Sequence, residues 1–134
     1  MKIRTSVAIS TFPLPSPTNY ALLCNLIVIL SKLVSPVYVV TGGLTLYKNY
    51  IKELLDYAPC NTFICDIKMK MIERSTAASP LKCILIYILV QLKMLVCFIK
   101  VLPKVDVVIF FIGVPHMLPL IVLAKIFKKR IIYY

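Results

Sequence analysis

Several residue types that support common binding chemistries are scarce in this chain. Its 134 residues include no tryptophan, one histidine, three glycines and five acidic residues. Cys60 and Cys65 have the spacing C-x4-C, but only His116 could add a nitrogen ligand and no second cysteine pair follows, so a zinc site would lack ligands. The odd number of cysteines, most of them in apolar segments, is typical of free thiols in the reduced cytosol. We therefore predict no metal site and a cytoplasmic location.

The motifs of several enzyme classes are also missing. No G-x-G-x-x-G sequence and no phosphate-loop lysine motif is present. Ser10 and Ser16 have no histidine nearby in the sequence that could activate them. Neither a cofactor nor catalysis by a covalent nucleophile is therefore expected.

Positive charge and apolar residues dominate what is present. Sixteen Lys and Arg against five Asp and Glu give a formal charge of +11, and 60% of the residues are hydrophobic, with a mean hydropathy of +0.92. The charge favours anionic partners, namely acidic lipid headgroups, phosphorylated ligands or nucleic acid. Nucleic acid is the weakest of these, because the basic residues are scattered through apolar segments, tryptophan is absent and no recognition motif is found.

Two long uncharged stretches could be taken for membrane spans. They cover residues 5–31 and 107–124. The first contains three prolines, and the second contains Gly113 and two prolines at its middle, where lipid would leave the freed backbone groups unpaired. We expect the second stretch to divide at Gly113 into a strand and a helix.

The segment Leu81–Leu102 is long and apolar, and its lysines indicate how it lies. Lys82, Lys93 and Lys100 fall within about 20° of one another on a helix that turns about 100° per residue. A spanning helix would place Lys93 near the bilayer centre at a cost of about 2.5–3.5 kcal/mol. The narrow basic stripe fits a crossover helix with a wet edge, and equally a helix lying at a bilayer surface.

The order of the apolar segments predicts two βαβ units. In such a unit two β-rich segments are joined through an apolar helix, which forces parallel strands covered by helices. A short amphipathic helix is also expected within residues 47–59. The predicted strands are Thr5–Thr11, Val37–Thr41, residues 63–69, Val105–Gly113 and Ile131–Tyr134, and the predicted helices begin near Tyr20, Leu81 and His116.

Three loops are expected to meet at one edge of such a sheet, because ligands bind beyond the carboxyl ends of parallel strands. They are residues 10–19, 41–43 and 113–116, and the helix amino termini beside them favour an anion. His116 could act there as a base or as a hydrogen-bond partner of an acceptor hydroxyl, or could simply pack in its loop. The pair of glycines at 42 and 43 could form a plain turn or approach a ligand closely.

Two blocks of the sequence are similar to a known enzyme family. The chain resembles the amino-terminal domain of family 4 glycosyltransferases, particularly archaeal-type members, in NLIVILSKLVSPVYVVTGG at Asn25–Gly43 and in KVDVVIFFIGVPHMLPLIVLAKIFKKRIIYY at Lys104–Tyr134. The resemblance implies a GT-B fold, in which two Rossmann-like domains face a cleft, and a peripheral membrane enzyme. The chain departs from the family in two respects, because TFPLPSPTNY lacks a glycine-rich loop and the carboxyl-terminal domain with its acidic donor-binding motif is absent.

The resemblance implies an α/β fold with a Rossmann-like parallel sheet and helices on both faces, in which residues 1–134 form a single incomplete, truncated GT-B half. Such a domain would bind the acceptor when a sugar passes from a nucleotide-sugar to a lipid-linked or glycan acceptor. It would be inactive alone, because the nucleotide-sugar would need the missing carboxyl-terminal domain or a partner chain. His116 is the candidate catalytic residue, and the acceptor-binding candidates are Ser10, Thr11, Thr18, Asn19, Thr41, Gly42, Gly43 and Gly113.

A peripheral position at the inner face of the cell membrane is also expected. The basic residues assigned to contact with an anionic membrane surface are Lys82, Lys93, Lys100, Lys104, Lys128, Lys129 and Arg130. Two other interpretations stay open. A small non-catalytic membrane-embedded or membrane-anchored protein would insert its long apolar segments as helices, and a decayed gene product would be insoluble under every condition.

Overall fold

The predicted order of strands and helices is present in the computed structural model, which describes residues 5–12, 17–42, 62–67, 79–111 and 114–134. The elements are β1 (Val7–Ser10), α1 (Pro17–Leu33), β2 (Val37–Gly42), β3 (Thr62–Ile67), α2 (Pro80–Val101), β4 (Val107–Phe110), α3 (Leu118–Ile126) and β5 (Arg130–Tyr133). Short 3₁₀ turns at Leu102–Lys104 and Val114–Met117 precede β4 and α3. The helix predicted within residues 47–59 and the site candidates Gly43 and Gly113 lie outside the described residues.

These five strands lie parallel in one sheet, in the order β3-β2-β1-β4-β5. β1 is central and pairs with both neighbours, so that Ile9 is level with Val39 and with Ile109. The strands are rich in valine and isoleucine, which suit a sheet that is buried on both faces. The predicted α/β fold, a Rossmann-like parallel sheet with helices on both faces, is confirmed.

One face of the sheet is covered by α1. Tyr20, Leu23 and Ile27 are spaced by three and four residues, which places them on one side of the helix. They pack in one buried cluster with Ile9 and Val39 of the two central strands. The face of the sheet that carries odd-numbered residues of β1 and β2 is thereby closed to water.

The other face is covered by α2 and α3. Val90, Met94 and Phe98 recur every four residues along α2 and are buried in a second cluster, to which α3 adds Leu120. The ring of Phe98 lies against that of Phe110 in β4, with centroids 5.9 Å apart. Only one stripe of α2 is used in this way, so the opposite side of the helix faces outward.

A proline stands in the first turn of each helix that the structure describes. α1 begins at Pro17, earlier than the predicted Tyr20, and α2 begins at Pro80, where a proline in the first turn is expected after Ser79. Proline suits the first turn of a helix because its missing N–H would have no intrahelical partner there and its φ is already helical. The predicted start of α1 at Tyr20 is therefore wrong. The helix begins three residues earlier, at the last proline of the proline-rich segment.

A backbone motif closes α3 and directs the chain into β5. The N–H of Lys129 donates to the backbone oxygen of Ala124 at 3.0 Å, and the N–H of Lys128 donates to that of Lys125 at 2.9 Å. Lys128 has a φ of 54°, in the left-handed region that this type of helix end requires. The turn places two lysines directly before the first residue of β5.

Replacement of Phe98 by alanine should destabilise the protein strongly. The ring is fully buried between α2 and the sheet, so its loss leaves a cavity and should lower the free energy of unfolding by about 3–5 kcal/mol. Ile99→Ala is the matched control, because the neighbouring side chain faces outward and should contribute at most about 0.5 kcal/mol. Urea unfolding measures both, and equal losses would contradict the packing of α2 on the sheet.

Candidate ligand crevice at the carboxyl edge of the sheet

The carboxyl ends of β1 and β4 form a topological switch point. The chain adds β2 and β3 on one side of β1, and β4 and β5 on the other. Connections that leave neighbouring strands in opposite directions open a crevice, and ligands of open α/β sheets bind there. Thr11 and Phe12 follow β1 at this edge, and the Val114–Met117 turn lies beyond the end of β4.

Three rings meet at the switch point and are called here the aromatic cluster: Phe12, Tyr87 and His116. The ring of Phe12 lies 5.2 Å from the His116 imidazole and 5.8 Å from the Tyr87 ring, measured between centroids. Tyr87 meets His116 edge to face at 6.0 Å. These spacings are typical of favourable ring contacts. Because Tyr87 is 40% exposed and His116 is also exposed, the cluster presents a ring surface to solvent.

The turn that carries His116 is attached to two different elements. Gln91 on α2 donates a hydrogen bond from Nε2 to the backbone oxygen of His116. The Ser10 hydroxyl at the end of β1 donates to Sδ of Met117 at 3.8 Å. The position of the imidazole is therefore set by the packing of α2 and β1, and not by its own loop alone.

The predicted acceptor-binding residues of the strands lie below the surface of this edge. Ser10, Thr11 and Thr41 are fully buried, and the Thr11 hydroxyl donates to the backbone oxygen of Phe12 at 3.0 Å. Thr41 Oγ1 and Gln91 Oε1 are buried without a hydrogen-bond partner in the part of the chain that the structure describes. Buried polar atoms usually have partners. Gln91 lies on the α2 side of the sheet, whereas Thr41, an odd-numbered residue of β2, faces α1.

The predicted residues near α1 are more accessible. Thr18 is exposed and Asn19 is half-buried in the first turn of the helix. Gly42 is buried, and its backbone oxygen accepts a hydrogen bond of 2.8 Å from the Tyr20 hydroxyl. This bond joins the first turn of α1 to the carboxyl end of β2, so Thr18 and Asn19 are held at the same edge of the sheet as the aromatic cluster.

Phe12, Tyr87 and Gln91 are not among the residues that the sequence predicts for a site. The sequence could have indicated Gln91 as a site residue. It is the one side-chain amide within the apolar segment Leu81–Leu102, and it lies four residues after Tyr87, on the same side of the helix. Phe12 has no such signal. Nothing in the sequence places its ring against a helix that begins almost seventy residues later.

The basic residues predicted to contact a membrane separate into two groups. α2 follows β3 and precedes β4, so it begins at the carboxyl edge of the sheet and ends at the amino edge. Lys82 accordingly lies in its first turn and Lys93 at its middle. The other five form the amino-edge group, which lies at the edge opposite the crevice: Lys100, Lys104, Lys128, Lys129 and Arg130. Cations at this edge are favourable because the carboxyl ends of helices carry a partial negative charge.

Asp106 is an acidic residue that lies beside the amino-edge group of basic residues. The backbone N–H and the hydroxyl of Ser6 donate hydrogen bonds to its Oδ2 at 3.0 and 2.8 Å. These bonds, and then the nearby Lys129 and Arg130, hold the pKa of Asp106 below its usual range. The carboxylate thus links the segment before β1 to the segment before β4, beside a polar cleft of about 470 Å³ that also includes Lys128.

The described residues contain no group of three or more His, Cys, Asp or Glu side chains that could hold a metal ion. Comparisons of the chain with protein-family models, curated protein sequences and solved structures find no match.

Asp106→Asn should destabilise the protein at neutral pH and not at acidic pH. A carboxyl group whose pKa is lowered by folding stabilises the folded state above its unfolded pKa of about 3.9, and the effect is lost as the pH falls through the folded value. Urea midpoints of the variant should lie below wild type near neutral pH and converge with it in strong acid. Ser6→Ala should show the same trend more weakly, because the backbone N–H remains. A pH-independent difference would contradict this role of the charge.

Proposed function

We propose that the chain is the acceptor-binding half of a glycosyltransferase that moves a sugar from a nucleotide-sugar to a lipid-linked or glycan acceptor at the inner membrane surface. The observation that carries the proposal is the aromatic cluster at the switch point. A sugar ring can place its apolar C–H face on such rings while its hydroxyl groups bond to polar atoms at the rim. The resemblance of two sequence blocks to family 4 glycosyltransferases supports the same assignment.

In this proposal His116 is the general base that activates the acceptor hydroxyl. Its imidazole is exposed, and its backbone is held by Gln91. An acceptor hydroxyl that lies over the cluster can give its proton to the imidazole while its oxygen bonds to the anomeric carbon of the donor sugar. The bond from that carbon to the phosphate breaks, and the nucleotide leaves. The nucleotide-sugar is bound by a carboxyl-terminal domain or a partner chain, so the chain alone performs no transfer.

The solvent side of α2 and α3 supports a position at the membrane. Both helices cover the same face of the sheet, and their outward side chains are apolar along most of their length. Contiguous apolar surface of this kind marks an interaction site, and an apolar helix face bordered by lysines fits an anionic bilayer surface. The outer apolar surface consists of Leu81, Leu85, Ile88, Leu89, Leu92, Val96 and Ile99 in α2 and of Leu118, Val122 and Ile126 in α3.

The purified chain should bind sugars without transferring them. Methyl glucoside and methyl mannoside at millimolar concentration should shift the backbone amide NMR signals of Phe12 and His116, because stacking on the cluster requires no donor half. Tyr87→Leu should weaken this binding about fivefold, the value of one aromatic contact. Tyr38→Leu is the control, because that tyrosine stacks on Phe63 away from the crevice.

Two results would contradict this proposal. The acceptor site would be in the wrong place if added sugar shifted NMR signals only away from the aromatic cluster. It would also be wrong if the two tyrosine variants weakened sugar binding equally. Turnover of a radiolabelled nucleotide-sugar by the purified chain, with a membrane lipid extract as acceptor, would show that the donor half is not needed.

A non-catalytic membrane-embedded protein is the second candidate. The helix over residues 80–104 is long and apolar enough to cross a bilayer, and only 22% of its most apolar window is buried. Insertion would, however, withdraw Met94 and Phe98, both fully buried, from the cluster that they form with the sheet. Lys93 at mid-helix would also enter the bilayer centre. The geometry of α2 therefore favours contact along the surface.

Membrane binding should be peripheral and should depend on the outer apolar surface. The chain should float with vesicles containing phosphatidylglycerol, float poorly with phosphatidylcholine alone, and leave membranes on carbonate extraction. Leu89→Gln should weaken vesicle binding about tenfold, because a leucine contributes on the order of 1.5 kcal/mol when it enters an apolar phase. Leu22→Gln is the matched control: Leu22 is 47% exposed against 55% for Leu89, but lies on α1 at the opposite face.

Retention in the bilayer after carbonate would instead support the embedded protein. Equal effects of the two leucine variants would show that the outer apolar surface has no special part in binding.

A further inference from the structure

A groove runs between α2 and the carboxyl end of β3. Its volume is about 430 Å³, within the range of about 300–1,000 Å³ that small-molecule sites occupy. Its described lining consists of Asp66, Ile67, Leu92, Lys93, Val96 and Cys97. We propose that this groove binds one single-chain anionic lipid, with the hydrocarbon chain between α2 and β3 and the anionic head at the ammonium group of Lys93.

The walls of the groove are apolar. Ile67 is buried and closes the sheet side, whereas Leu92 and Val96, one helical turn apart, form the helix side and are more than half exposed. Alternation along β3 directs Cys65 and Ile67 towards α2 and places Asp66 on the other face of the sheet. An alkyl chain would cover apolar atoms that otherwise contact water, which is favourable in proportion to the area removed.

The described lining of the groove includes one thiol, that of Cys97. Cys97 contacts Cys65 of β3, and burial together with this contact raises the pKa of the Cys65 thiol to about 11. A thiol with this pKa stays protonated and behaves as a small apolar group. The Cys65 thiol therefore adds no negative charge next to the groove.

Lys93 supplies the charge at the mouth of the groove. A lysine can lay its methylene groups along an apolar wall and keep its ammonium in water, where it meets a phosphate or carboxylate. Lys82 and Lys100 belong to the same stripe along α2 but are not part of the described lining. Lys93 is therefore the lysine of the described lining that can meet the head of a lipid in the groove. Lys100 lies near Cys65, so Lys82, in the first turn of α2, is the lysine for comparison.

A lipid fits this place better than a protein segment does. Leu92 and Val96 belong both to the groove and to the outer apolar surface, so a chain could pass from a bilayer into the groove without crossing water. A second copy of this protein would bring a further +11 to the positive mouth and be repelled. The inference rests on the proposed function in one respect only, namely that the surface beside the groove meets a bilayer.

Binding of monomeric lipid tests the groove separately from vesicles and sugars. With the full chain, lysophosphatidylglycerol below its critical micelle concentration should bind saturably, one molecule per chain, in a calorimetric titration. Lysophosphatidylcholine should bind about fivefold more weakly, because one lysine near an anionic head contributes about 1 kcal/mol. Inorganic phosphate without a chain should give no measurable heat.

Two pairs of variants locate the bound lipid. Val96→Trp should fill the groove and weaken binding at least about tenfold, whereas Ile99→Trp, on the same helix but outside the described lining, should leave it unchanged. Lys93→Gln should abolish the preference for the anionic head, whereas Lys82→Gln, in the first turn of α2, should retain it. Circular dichroism verifies the fold of each variant, and the lysine pair decides the matter if Val96→Trp does not fold.

Absence of saturable binding by lysophosphatidylglycerol would overturn the proposal, whatever the vesicles show. Equal effects within both pairs would also overturn it. Binding of monomeric lipid without vesicle flotation would support the groove as a lipid site and contradict the membrane part of the proposed function. Vesicle flotation without binding of monomeric lipid would contradict the lipid site in the groove alone.

Discussion

The parallel pairing of β1 with both β2 and β4 is the constraint on which the rest of the structure depends. Parallel neighbours cannot be joined by a tight hairpin, so each step between strands needs a long connection, and the helices of those connections cover the sheet on both faces. This explains why all four residues of β1, from Val7 to Ser10, are buried. It also explains why α1 and α2 each need one apolar stripe, and why their stripes form separate clusters.

The same parallel order makes the two edges of the sheet chemically different. Every strand ends at the carboxyl edge, where the polar residues at the ends of β1 and β2 are buried and where the aromatic cluster lies. Helices end at the amino edge, where lysines lie beside the helix carboxyl ends and Asp106 is held by Ser6. The proposed crevice and most of the positive charge of the described residues are therefore at opposite edges. An anionic partner attracted by the charge would not compete with a ligand at the switch point.

α2 is apolar in two directions, and this property separates the protein from an ordinary α/β domain. Its inner stripe, represented by Met94 and Phe98, is buried, while its outer side, represented by Leu85 and Leu89, is exposed. A surface helix of a water-soluble domain is usually polar on its outer side. The lysine stripe lies between these two apolar sides. Because both sides are apolar, the helix has the composition of a membrane-spanning segment, although its inner stripe packs on the sheet as a crossover helix does. A bilayer beside the molecule and a lipid chain in the groove would each cover part of the outer side.

The strands, the two βαβ units and the start of α2 could be predicted because their signals are local. Val37–Gly42 is a β-branched segment bounded by glycine, and Pro80 follows a polar connector at the first turn of α2. The lysine stripe followed from helical periodicity alone. The candidate loops could also be assigned to one edge, because parallel strands place their carboxyl ends together.

What the amino-acid sequence alone determined was therefore the type, order and apolar faces of the elements. Strand order, and with it the contacts at the site, was decided only by the tertiary structure. The packing of Phe12 on His116, the bond from Gln91 to the same turn and the collection of lysines at the amino edge join residues that are distant along the chain. Periodicity reports which side of an element is apolar, but it contains no information about which element will cover that side.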